Sequence, residues 1–140
     1  MAAAMQQSST MQEQVTSARL TVLVVEDEAA ILELAEEVIA KLGHKVLCAR
    51  NGDEALAMLR REAAVDVLFT DIRMPGMDGW ELGRTANLAY PGIKVIYTTG
   101  FCDSLPRGDQ GHAVTLLRKP WRASDLANLL QRILENPCRA

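Results

Sequence analysis

Cysteine is scarce in this chain: Cys48, Cys102 and Cys138 are the only three, odd in number, scattered and without CxxC spacing. That pattern requires no disulfide framework and favours a reducing, cytoplasmic setting over a secreted one. Basic charge is not in excess either. The formal net charge is -3, which leaves no basic stripe for nucleic acid. No apolar run approaches the roughly 20 residues of a membrane span. Residues 1–19 lack both apolar periodicity and the apolar core of a secretory signal, so they read as a disordered N-terminal tail. Neither internal repeats nor low-complexity segments interrupt the rest. At 140 residues the length suits a single domain with a core of its own, here expected over 20–136. Residues 137–140 are expected to be a short C-terminal tail, and the chain is expected to carry no output domain.

What is present is an alternation of buried strands and amphipathic helices. Val65 to Thr70 is a short apolar, β-branched run, the pattern of a strand buried on both faces, and it stops at Asp71. Pro75, Gly76, Asp78 and Gly79 then break the chain into a loop. Leu20 to Val25 is a similar strand that stops at Glu26-Asp27-Glu28. The series Ile31, Leu34, Ala35, Val38, Ile39 and Leu42 predicts a helix with one apolar face, closed by Gly43. Lys45 to Ala49 reads as a strand, Asn51-Gly52 as a turn, and Asp53 to Glu62 as a helix with Ala55, Met58 and Leu59 inward.

Trp80 to Ala89 is the next helix, stopped by Pro91-Gly92 before the strand Ile93 to Thr98. Gly83 inside that helix costs up to about 1 kcal/mol relative to alanine unless close packing requires it. Pro106, Gly108 and Gly111 leave only a helical turn or two between Gly100 and His112, expected to be the most mobile part of the domain. Ala113 to Leu117 is the last strand. Leu126, Leu129, Leu130, Ile133 and Leu134 mark the closing helix, which Asn136-Pro137 ends. Five βα units in succession imply a parallel sheet with helices on both faces and right-handed crossovers.

Parallel strands present their carboxyl ends at one edge, where open α/β sheets bind ligands. Glu26 and Asp27, Asp71, Thr98-Thr99 and Lys119 therefore converge there. Clustered carboxylates repel one another, and such a group either raises a pKa or recruits a hard cation, with Mg2+ suiting all-oxygen donors. One ammonium and one hydroxyl complete what is needed to grip a phosphoryl group attached to a carboxylate. The remaining candidates read as structural: Asp78-Gly79 as a turn and N-cap, and His44 and His112 as loop residues without partner spacing.

The set Val24-Val25-Glu26-Asp27-Glu28, Asp71-Ile-Arg-Met-Pro75-Gly-Met-Asp-Gly79, Thr98-Thr99-Gly100 and Lys119-Pro120 resembles the receiver domains of two-component response regulators in order and spacing, over about residues 20–135. The resemblance implies a flavodoxin-like, doubly wound five-stranded parallel (βα)5 sheet in a single domain. It implies that Asp71 accepts a phosphoryl group from a phosphohistidine, and that Asp27, Asp71 and the backbone carbonyl of Arg73 bind Mg2+ with Glu26 acting nearby. Lys119 would pair with a phosphoryl oxygen, Thr99 would turn toward it, and Pro120 would follow a cis peptide bond. The partners implied are a histidine kinase or histidine phosphotransfer protein and a downstream protein target. The chain is expected to act as a monomer or weak dimer, and as an acceptor with slow self-dephosphorylation rather than a turnover enzyme.

Leu116 departs from the family pattern, which has an aromatic residue three positions before the lysine. Arg73 and Phe101 lie at positions that in the family flank the hydrolytic water, and are expected to shield the acyl phosphate. Two rival readings belong to the same fold: a receiver module of a hybrid histidine kinase, or a binding module that works without phosphorylation. Haloacid-dehalogenase-type phosphatases use Asp-x-Asp, and Asp71-Ile-Arg73 lacks the second carboxylate.

Overall fold

A computed structural model of the chain describes residues 19–62, 64–100 and 115–135. Its elements are β1 (Thr21–Val25), α1 (Ala29–Lys41), β2 (Lys45–Ala49), α2 (Gly52–Arg61), β3 (Val67–Asp71), α3 (Gly79–Ala89), β4 (Lys94–Thr99), β5 (Thr115–Arg118) and α4 (Ala123–Glu135). The five strands are parallel, in the order β2-β1-β3-β4-β5. This is the flavodoxin-like order, and its direction of growth reverses between β1 and β3, where such sheets open a crevice for ligands.

Successive side chains of a strand point to opposite faces, so a strand covered on both sides is apolar throughout. On one face Val22, Val24, Val67, Phe69 and Ile96 pack with Ala35 and Ile39 of α1 and Leu126 and Leu130 of α4. On the other, Leu23, Val25 and Leu68 pack with Ala55 and Leu59 of α2 and Leu82 and Ala86 of α3. The central strands β1 and β3 are the most deeply buried.

Several boundaries differ from expectation, each for a local reason. β3 runs from Val67 to Asp71, so the acceptor candidate is the last residue of the strand. Asp66, before it, turns its carboxylate to the Thr21 amide at 2.8 Å. Asn51 is an N-cap rather than half of a turn: it accepts from the Glu54 amide at 2.8 Å, and Gly52 begins α2. Leu34, counted on the inward stripe of α1, is 48% exposed, and Leu32 packs against the core instead. Gly43, at φ +95°, closes α1 as expected. Its amide reaches the Ala40 carbonyl and that of His44 the Ile39 carbonyl, the paired bonds of a Schellman cap. The closing helix keeps all five expected apolar positions inward.

The tail over 1–18, the segment 101–114 with its expected mobility, and the stop at 136–137 lie outside the described residues. Among the described residues no helix is long and apolar enough to cross a membrane.

Candidate functional site

The site is built by strand ends. β1 delivers Glu26 and Asp27, β3 delivers Asp71, β4 ends at Thr99, and Lys119 follows β5 directly. The register sets Asp71 opposite Thr98, and the Ile72 amide extends that pairing to the Thr98 carbonyl at 3.1 Å. Similarly, the Lys119 amide donates to the Thr99 carbonyl at 2.8 Å, which brings the lysine to the same rim. The peptide bond between Lys119 and Pro120 is cis.

Glu26, Asp27 and Asp71 each offer a carboxylate oxygen, and these atoms all lie within 4.8 Å of one another. Glu26 and Asp71 are 3% and 6% exposed, whereas Asp27 faces solvent. Lys119 bridges the two buried acids, its Nζ 3.1 Å from Asp71 Oδ2 and 3.2 Å from Glu26 Oε1. The other Glu26 oxygen accepts from the Glu28 amide at 3.1 Å, at the entrance to α1. Thr99 is buried, with Oγ1 donating to the Gly100 carbonyl at 2.9 Å.

Burial raises the Asp71 carboxyl above its ordinary value, and the Lys119 ammonium and the Arg73 and Ile72 amides only partly offset it. Glu26 is raised as well, first by burial and further by the charge of Asp71, against the Glu28 amide and Lys119. Burial by itself would pull the Lys119 ammonium down. Its hydrogen bonds and charge pairing with Asp71 and Glu26 outweigh that loss, and the ammonium titrates above its usual value.

Three carboxylates and one ammonium leave a deficit of two positive charges in a largely dehydrated corner. A small divalent cation balances that deficit, and an all-oxygen donor set suits Mg2+ over softer metals. The residues therefore fit the ion that the resemblance implies.

The structure thus brings together Glu26, Asp27, Asp71 and Lys119, and puts Thr99 at the same rim. Arg73 is exposed in the loop after β3; Phe101 and His112 lie outside the described residues. His44 is structural, its Nδ1 accepting from the Leu20 amide at 2.9 Å. Asp78 caps α3 by accepting from the Glu81 amide at 2.9 Å.

Two participants were missed in the sequence. Trp121 stacks edge-on against Phe69 with centroids 5.8 Å apart. It lines a small cleft behind the acids, with Glu26, Asp71 and Thr98. A tryptophan two residues after Lys119, in a chain that is 4% aromatic, was the available signal. Gly79 is the other: its amide donates to the Ile72 carbonyl at 2.8 Å, and a side chain there would overlap the Asp71 carbonyl.

A family model described as the response regulator receiver domain matches residues 22–131. The response regulator receiver protein CpdR of Brucella abortus is 33% identical over 115 residues, 81% of this chain and 95% of that protein. The sensor kinase CckA of the same organism is 34% identical over 122 residues, 85% of this chain and 13% of the kinase. Against a two-component response regulator of Arabidopsis thaliana, 30% identical, the chain spans 32% of the relative's length. Among solved structures, a CheY-like response regulator receiver domain protein of Methanospirillum hungatei matches with a TM-score of 0.76 at 28% identity, over 85% of this chain and 96% of that one.

Proposed function

Because this chain belongs to the response regulator receiver family, the receiving module of two-component signalling, we propose that Asp71 accepts a phosphoryl group from the phosphohistidine of a histidine kinase or histidine phosphotransfer protein. A carboxylate oxygen of Asp71 attacks phosphorus in line as the phosphorus–nitrogen bond breaks, and the electron pair leaves with the imidazole, giving an aspartyl phosphate. Glu26, Asp27, Asp71 and the carbonyl of Arg73 would hold Mg2+, which when bound would neutralise charge that repels the incoming phosphoryl. Lys119 exchanges its contact with Asp71 for one with a phosphoryl oxygen. The Thr99 hydroxyl leaves the Gly100 carbonyl and donates to another phosphoryl oxygen, and that rotation is the signal. The domain acts in the cytoplasm as an acceptor that passes its state on by protein contact, not as a turnover enzyme.

One observation carries this reading: a single ammonium shared at 3.1 and 3.2 Å between two buried carboxylates, beside a third. The test is incubation with acetyl phosphate and Mg2+ followed by intact mass. A gain of one phosphoryl in the wild type and none in Asp71→Asn is expected; equal gain in both would put the acceptor elsewhere.

The likeness to a sensor kinase over 85% of the chain favours a second setting for the same chemistry, a receiver module serving a hybrid histidine kinase. Phosphoryl exchange with a purified histidine phosphotransfer protein, compared with uptake from a kinase alone, separates the two.

A further inference from the structure

Tyr97 belongs to an aromatic contact that the acceptor chemistry leaves unexplained. Its ring centroid lies 4.3 Å from that of Trp80, with the planes tilted by 51°, a direct contact in which the rings avoid the unfavourable face-to-face sandwich. The pair joins β4 to the first turn of α3. Gly83, one turn further along α3, lies so close that a side chain there would overlap the Tyr97 hydroxyl and ring. That contact accounts for a glycine inside a helix, since the helix gives up a side chain where the phenol lies. On the neighbouring strand the register partner of Tyr97 is Leu116, and register partners point to the same face. The aromatic residue on this face is therefore carried by β4, with leucine beside it on β5.

The first turn of α3 is also bound to the acceptor backbone. Gly79, the residue before Trp80, donates its amide to the Ile72 carbonyl at 2.8 Å and lies so close to the Asp71 carbonyl that a Cβ would overlap it. A chain of direct contacts thus runs from Tyr97, two residues before Thr99, through Trp80 and Gly79 to Asp71. Mg2+ demands near-ideal octahedral geometry, and groups that support a metal site must hold its donors to within about 0.5 Å.

We propose that Trp80 and Tyr97 are positioning residues for the acceptor site: their contact seats the first turn of α3, and through Gly79 fixes the backbone of Asp71 and Ile72 in the geometry that cation binding requires. The proposal rests on the reading of Asp71 as a Mg2+-dependent acceptor. It assigns the two rings no contact with the ion or the phosphoryl.

The test is a MgCl2 titration of the full chain followed by amide NMR shifts of Asp71 and Thr98, with thermal unfolding in parallel. Variants are Trp80→Leu, Tyr97→Leu, Tyr97→Phe and Asp71→Asn. Supporting groups of this kind alter metal affinity by about 10-fold or more. That loss is expected for Trp80→Leu and Tyr97→Leu in protein that still unfolds cooperatively, while Tyr97→Phe keeps the ring and stays within about 2-fold of the wild type. A purely structural contact would lower the melting temperature and leave the affinity of the folded protein unchanged. Wild-type affinity in both leucine variants, or equal losses in Tyr97→Phe and Tyr97→Leu, overturns the proposal. Should Tyr97→Leu not fold, the half-buried Trp80 decides through Trp80→Leu. A wild type that binds no better than Asp71→Asn overturns the acceptor reading itself, and this inference with it.

Discussion

The carbonyl of Asp71 occupies the space that a side chain on Gly79 would need. The obstacle is backbone, which cannot rotate away as a flexible side chain can. Gly79→Ala must therefore displace either the start of α3 or the acceptor, and overpacking of this kind costs about 1–3 kcal/mol. Urea unfolding should register that loss, and phosphoryl uptake from acetyl phosphate should fall with it. Gly92→Ala, where nothing lies within 4 Å, should stay within about 0.5 kcal/mol of the wild type.

Lys119 supplies the ammonium between Asp71 and Glu26, and a divalent cation near those acids meets its repulsion. Lys119→Met removes that repulsion and the hydrogen bonds together. Magnesium affinity is expected to tighten, by about 3- to 10-fold for a like charge a few ångströms away, while phosphoryl uptake slows. Titration and uptake kinetics on the same variant check the two opposed effects; weaker magnesium binding would contradict the charge argument.

Folding raises the pKa of both Asp71 and Glu26, chiefly by burial. A carboxyl raised in this way binds more protons when folded than when unfolded. Its stabilising contribution is full below the unfolded values of 3.8 and 4.5 and is lost as pH rises through the folded ones. As pH rises toward neutrality both acids thus weigh increasingly against the metal-free fold. Asp71→Asn should raise the melting temperature in EDTA at pH 7 by about 2–6 °C, and should abolish most of the rise that magnesium gives the wild type. Calorimetry with and without the cation is the measurement, and a variant melting below the wild type in EDTA would count against this account.

The Cys48 thiol is pushed up to about 11 by burial, then by the charge and hydrogen bond of the Glu36 carboxylate. At pH 8 only about one such thiol in a thousand is the reactive thiolate. Iodoacetamide should therefore label the Cys48 peptide at least about 10-fold more slowly in native protein than in urea. Glu36→Gln should narrow that gap. Peptide mass mapping after a short pulse gives both rates.

Much of this architecture could be read along the chain. An apolar run that ends in a carboxylate identifies a doubly covered strand and its functional end. The 3.6-residue period identified α1, α2 and α4, because burial on one face selects side chains at that spacing. Element ends shifted by a residue or two where a side chain took over a backbone bond, as Asn51 does for Glu54 and Asp66 for Thr21. Leu34 and Leu32 exchanged roles because a wide stripe on a helix does not say which of its margins meets the sheet.

The sequence by itself determined that Glu26, Asp27, Asp71, Thr99 and Lys119 share one rim, since parallel strands must all end on the same side. Only the tertiary structure decided how they divide the work there: one ammonium between two buried acids, a third acid left in solvent, a threonine hydroxyl turned to the Gly100 carbonyl just past its strand. It also decided why Gly79 and Gly83 are glycines, because each answers to an atom from another element. Local spacing constrains what a segment becomes, whereas the distance between two segments is set by every side chain packed between them.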